Sequence, residues 1–192
     1  MAVGRPNRRS VNYDLIQIIK NYFKMSSKKE IRFDTLVPFI ISCIVVFCIY
    51  ICNLNMLKVL QDVNDVIISV MSILAGFNTA SVAIIASSNP LGIAESMDSQ
   101  GNNQEGRRLL NSLTSYFSYA ILLQLFILIV SIIASVVLKF FHIKIIEDNI
   151  YFFISLALIF ILWFTLVLNS LLITLRNASI LHNFILFLAK RN

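Results

Sequence analysis

The sequence predicts an all-α membrane protein, with four transmembrane helices, an N-terminal amphipathic helix and both termini in the cytoplasm. Three observations predict it. The 192 residues are 58% hydrophobic and only 14% charged, against about 25% charged in an ordinary soluble domain. Four apolar runs, at about 36–54, 66–88, 115–140 and 150–175, each reach or approach the ~20 residues that a helix needs to cross ~30 Å of hydrocarbon. They do not alternate as barrel strands would. Thirteen of the sixteen Lys and Arg residues then fall on one side of this topology, and only Lys58, Lys139 and Lys144 on the other. The positive-inside rule places the richer side in the cytoplasm. The chain thus divides into a basic segment at 1–35, a bundle at 36–175 with a cytoplasmic loop at 89–114, and a tail helix at 176–192.

The first ten residues are basic. From Val11 to Met25, Leu15, Ile18, Ile19, Tyr22 and Phe23 share one side of a helix, with Asp14, Gln17, Lys20, Asn21 and Lys24 opposite. Such a helix lies on the membrane surface with its lysines over the headgroups, or packs on the protein's own cytoplasmic loop. A positive stretch followed by amphipathic sequence is not a signal peptide. Residues 26–32 form a charged hinge before the first span. Pro38 is expected in the first turn or so of that span, where a missing N–H costs least. Cys43, Cys48 and Cys52 match no zinc or redox spacing and read as small apolar residues.

The second span organises the rest. Ser69, Ser72, Gly76, Ala80, Ala83 and Ser87 follow steps of three and four, which places them in a band about 80° wide. A stripe of small residues lets another helix come close, so it is expected to pack helices or copies of the chain. Asn78 and Ser81 lie on roughly the opposite side. On the outer side, Asp62, Asp65, Glu147 and Asp148 flank the two hairpins, as a cation-gathering rim or as solvated helix ends. Asn89 and Pro90 end the second span. Leu91, Ile93, Ala94 and Met97 then suggest a short helix, and 98–106 a polar turn. Arg107 and Arg108 anchor the third span and contribute to the surface open to a cytoplasmic partner.

The third span carries Ala120, Gln124, Ser131, Ser135 and Lys139 on one face. The fourth carries Ser155, Thr165, Asn169 and Arg176. Amides exposed to lipid tails are costly, so Asn78, Gln124 and Asn169 should face inward. There they either bond one another or line a water path, with Arg176 at its inner mouth. After Arg176 the tail keeps an apolar side and either prolongs the fourth helix or bends onto the membrane. Asn177, Ala178 and Ser179 match the glycosylation triplet, but on the expected cytoplasmic side the match is read as chance.

Catalytic chemistry is missing. His142 and His182 fall on opposite sides of the membrane, so no metal cluster assembles from them. No GxSxG elbow, CxxC pair or phosphate-cradling glycine loop is present. An enzyme is therefore not expected, and neither is a cofactor. The net charge of +6 describes a basic collar that attracts anionic lipid rather than nucleic acid. No span holds a carboxylate at its middle, which argues against a proton-coupled pump.

In the run from Ser72 to Ser88, in Asn89-Pro90 and in the basic collar, the chain resembles small four-span inner-membrane proteins of bacterial anti-phage systems. It is most similar to the membrane protein of the Kiwa system, and then to the channel-type effectors of nucleotide-signalling systems. The resemblance is one of architecture over the whole chain and assigns no residue a role. It implies a homo-oligomer in the bacterial inner membrane that works with a separately encoded cytoplasmic protein, as sensor or scaffold, or else as a gated pore. A holin-like or superinfection-exclusion protein is a third reading.

Overall fold

A computed structural model describes residues 11–88, 105–140 and 150–191. These form five helices: α1 (Val11–Met25), α2 (Lys28–Ile51), α3 (Met56–Ser87), α4 (Glu105–Phe140) and α5 (Ile150–Arg191). The last four contain stretches long and apolar enough to cross a membrane, Lys28–Ile51, Met56–Ser87, Leu110–Lys139 and Tyr151–Leu186. The chain is thus all-helical and fits a multi-pass membrane protein. The expected Asn89–Pro90 stop, the short helix after it and the outer Glu147 and Asp148 lie outside the described residues. So do the side chains of Arg107 and Arg108.

Every span begins as a helix at or before its apolar run, and the reasons are local. Ser27 and Glu30 form a capping box: Glu30 N donates to Ser27 Oγ at 3.2 Å and Ser27 N to Glu30 Oε2 at 2.8 Å. The two reciprocal bonds satisfy donors that a helix start leaves free. The expected charged hinge is therefore mostly the first turn of α2, and only Ser26 and Ser27 separate it from α1. Asn53 takes a positive φ of 48° in the α2–α3 turn, a conformation asparagine tolerates better than most residues. Asn55 then caps α3 by accepting from Lys58 N at 3.0 Å. Asp62 and Asp65 consequently sit on α3 itself, within its first three turns.

The helices pack in an uneven bundle. α5 packs against α2, α3 and α4, α3 lies along α4, and α1 is laid against α4. The small-residue stripe suggests an organising role for α3, but it is α5 that packs closely on all three other spans. α3 contributes Met56, Leu60, Ile67, Met71 and Ile85 to successive apolar clusters, which α5 meets with Phe160, Val167 and Leu181. Exposed large apolar side chains form a belt over 33–51 of α2, 66–84 of α3, 125–137 of α4 and 151–175 of α5. At 42 residues, α5 is about 63 Å long, twice the ~30 Å of hydrocarbon. Past the belt, α3, α4 and α5 continue together around a small core of Ile85, Leu113, Phe117 and Leu181.

Candidate functional site: a polar latch at one edge of the belt

Arg176 is the only Lys or Arg between 145 and 189, and the structure shows what it holds. Its Nη1 donates to Asp34 Oδ2 at 2.9 Å, and its Nη2 donates to the Tyr22 hydroxyl at 2.7 Å. The guanidinium carbon lies 5.6 Å from the Tyr22 ring centroid and 5.2 Å from that of Tyr116, within cation–π range. One side chain on α5 thereby ties together α1, α2 and α4. Tyr22 is also stacked on Tyr119, centroids 3.8 Å apart. Burial pushes the Tyr22 phenol above its ordinary value of 10.0, while the charge of Arg176 pulls the other way.

Asp34 is bound a second time, through its backbone, and the cause is Pro38. Pro38 falls inside α2, not in its first turn, because the helix starts at Lys28. A proline there has no N–H to give to the carbonyl four residues earlier, which is that of Asp34. Asn169 Nδ2 supplies the missing donor from α5 at 2.7 Å. On the next turn of α2, Ser42 donates to the Pro38 carbonyl at 2.8 Å and stands 3.1 Å from the Thr165 hydroxyl. Asn169 and Thr165 therefore serve a proline-interrupted stretch of the neighbouring helix.

Asn78 and Gln124 meet beside this latch. Asn78 Nδ2 donates to Gln124 Oε1 at 3.0 Å and to Thr174 Oγ1 at 3.4 Å, and Gln124 Nε2 donates to Thr174 Oγ1 at 2.7 Å. Thr174 passes its own proton to the Ser170 carbonyl at 2.9 Å. Asn78 and Gln124 are both 0% exposed. Asn177 is equally buried and donates to the Tyr116 carbonyl at 3.3 Å, so its place in a glycosylation triplet has no surface to act on. Three polar atoms here are buried without a partner, namely Asn78 Oδ1, Asn177 Oδ1 and Arg176 Nε.

The four intramembrane polar residues singled out in the sequence thus belong to two adjoining networks. Arg176 and Asn169 meet at Asp34, and Asn78 and Gln124 meet at Thr174. Sequence reasoning missed Asp34, Thr174 and the polar role of Tyr22. Asp34 had a signal, since it lies four residues before a proline and opposite a lone arginine. The stripe residues Ser69, Ser72, Gly76, Ala80, Ala83 and Ser87 lie on another face of α3, and all six are exposed in the single chain. A Cβ added at Gly76 meets nothing within 4 Å. Ser72 and Ser87 give their hydroxyl protons to Ile68 and Ile84 carbonyls of their own helix. No family model, curated protein or solved structure matches this chain.

Proposed function

We propose that the protein is a homo-oligomeric sensor or scaffold in the bacterial inner membrane, one half of a two-component anti-phage defence system. In this reading its partner is a soluble cytoplasmic effector. The observation that carries the proposal is the two-faced α3. Its Asn78 side is spent on bonds within the chain, whereas its small-residue side is uncovered and smooth enough to receive the same face of a second copy. Continuation of α3, α4 and α5 past the apolar belt supports a membrane-proximal platform for the partner. The thirteen-to-three division of Lys and Arg supports a cytoplasmic location for that platform and for both termini. α1 belongs to the same side, with Leu15, Ile16, Ile19 and Phe23 exposed, as suits a helix resting on lipid.

A gated channel is the second reading, favoured by the unpartnered oxygen of Asn78, which water in a bundle of several copies would satisfy. Ion flux separates the two. Proteoliposomes of the sensor stay sealed with the protein alone and with its effector bound. A channel passes ions, and Asn78→Leu alters its conductance. Steady flux through the unmodified protein would overturn the sensor reading.

A further inference from the structure

Beside the Tyr22 contact, α1 and α4 part and leave a groove of about 870 Å³ between them. Gln17, Asn21 and Lys24 line the α1 wall, and Asn111, Ser115 and Ser118 the α4 wall. Among the described residues no hydrogen bond joins these six side chains across the gap. Amides and hydroxyls that face one another without bonding leave room for a polar occupant.

The α4 wall shows what kind of occupant fits. Asn111, Ser115, Ser118, Leu122, Leu125, Ile129 and Ile133 follow at steps of three and four, which keeps them on one face of the helix. That face is polar through Ser118 and apolar from Leu122 onward, with Leu125, Ile129 and Ile133 exposed in the belt. From Leu122 to Ile133 the helix rises about 16 Å, close to half of the ~30 Å of hydrocarbon. The polar groove therefore runs on into an apolar track one leaflet deep.

Ring contacts fix which end of α1 meets that track. Tyr22 and Phe23 lie against Tyr119 with centroids 3.8 and 5.9 Å apart, so Lys24 stands at the Ser118 end of the groove, where polar gives way to apolar. Asp14 is the one carboxylate of the lining. Ten residues before Lys24, it lies about 15 Å back along α1, beyond the reach of a headgroup held at Lys24. A phosphate there meets a lysine and hydroxyls, whereas the ammonium of a zwitterionic lipid meets no carboxylate.

We infer that the groove holds one phospholipid with an anionic polyol headgroup, of the phosphatidylglycerol class. Its phosphate rests on Lys24, its glycerol on Asn21, Ser115 and Ser118, and one acyl chain along Leu122 to Ile133. The basic collar attracts anionic lipid at large; this site takes a single molecule, chosen by the groove. The inference does not depend on the defence reading, nor on which leaflet α1 faces.

The test is native mass spectrometry of the full chain, released from detergent micelles after titration with dioleoyl-phosphatidylglycerol or dioleoyl-phosphatidylcholine. One phosphatidylglycerol per chain is expected, bound about tenfold or more tighter than phosphatidylcholine. Lys24→Gln should weaken it by about fivefold or more. Lys29→Gln, at a lysine equally exposed but outside the groove, and Asp14→Asn should each change it by less than about twofold. Three results would each overturn the inference: equal affinity for the two lipids, equal losses in Lys24→Gln and Lys29→Gln, or equally tight binding of glycerophosphoglycerol, the headgroup without its chains.

Discussion

Arg176 can be charged at the edge of an apolar belt because three groups surround it, and the energetics turn on removing them one at a time. Breaking one partner of a buried ion pair costs about 3–5 kcal/mol. The Arg176 and Asp34 side chains keep 20% and 10% of their surface, so Asp34→Ala should destabilise the fold by about 3 kcal/mol, the low end of that range. A double-mutant cycle with Arg176→Met, read as unfolding free energy in mixed micelles, should return a coupling well above the 0.5 kcal/mol or so expected of independent sites. Asn169 offers a sharper test. Asn169→Leu should cost about 1–2 kcal/mol by stranding the Asp34 carbonyl, but much less in a Pro38→Ala background, where the restored backbone N–H at position 38 takes its place. Equal costs in the two backgrounds would mean that Asn169 has no special relation to the proline. The inward turn of Asn78, Gln124 and Asn169 was legible because lipid tails offer an amide nothing. Their partners were not legible, since pairing depends on helix rotation and height, which periodicity within one helix does not contain.

At the scale of elements, α1 is the piece held most lightly, and Tyr22 is its principal attachment. Burial raises the Tyr22 pKa in the docked state above the ordinary 10.0. The docked form therefore keeps its proton where the free helix loses it. By linkage, that contribution is fully present below pH 10 and is lost as pH rises through the higher, docked value. Amide hydrogen exchange across α1 should accelerate in this window, and Tyr22→Phe should remove that part of the pH dependence while loosening α1 at neutral pH. A profile identical in both proteins would separate α1 docking from this phenol. The helix itself was readable from the spacing of its apolar residues. What rests against protein was not, because Ile18 and Tyr22 look no different in sequence from Ile19 and Phe23, which the structure leaves exposed. Helix starts were misjudged by a different route. Apolar runs mark where lipid begins, whereas caps mark where helices begin. The Ser27–Glu30 capping box and the Asn55 cap both precede their runs by several residues.

For the whole molecule, the four-span architecture was written in hydropathy alone, since crossing a bilayer is a demand on length and composition that few other folds meet. The expected side of insertion rests on the placement of the sixteen Lys and Arg residues alone. The hub helix was not legible in this way. Small residues on α3 suggested close packing, but among the described residues nothing covers that face, and α5 gathers the other spans with larger side chains. If that uncovered face joins copies, Gly76→Leu should abolish the oligomer and leave the isolated fold intact, since no neighbour within the chain crowds position 76. The most direct measurement is the mass of the protein in lipid nanodiscs, wild type beside Gly76→Leu. An oligomer that the substitution reduces to folded monomers is expected; a wild-type monomer, or a variant that assembles unchanged, would contradict assembly through this face.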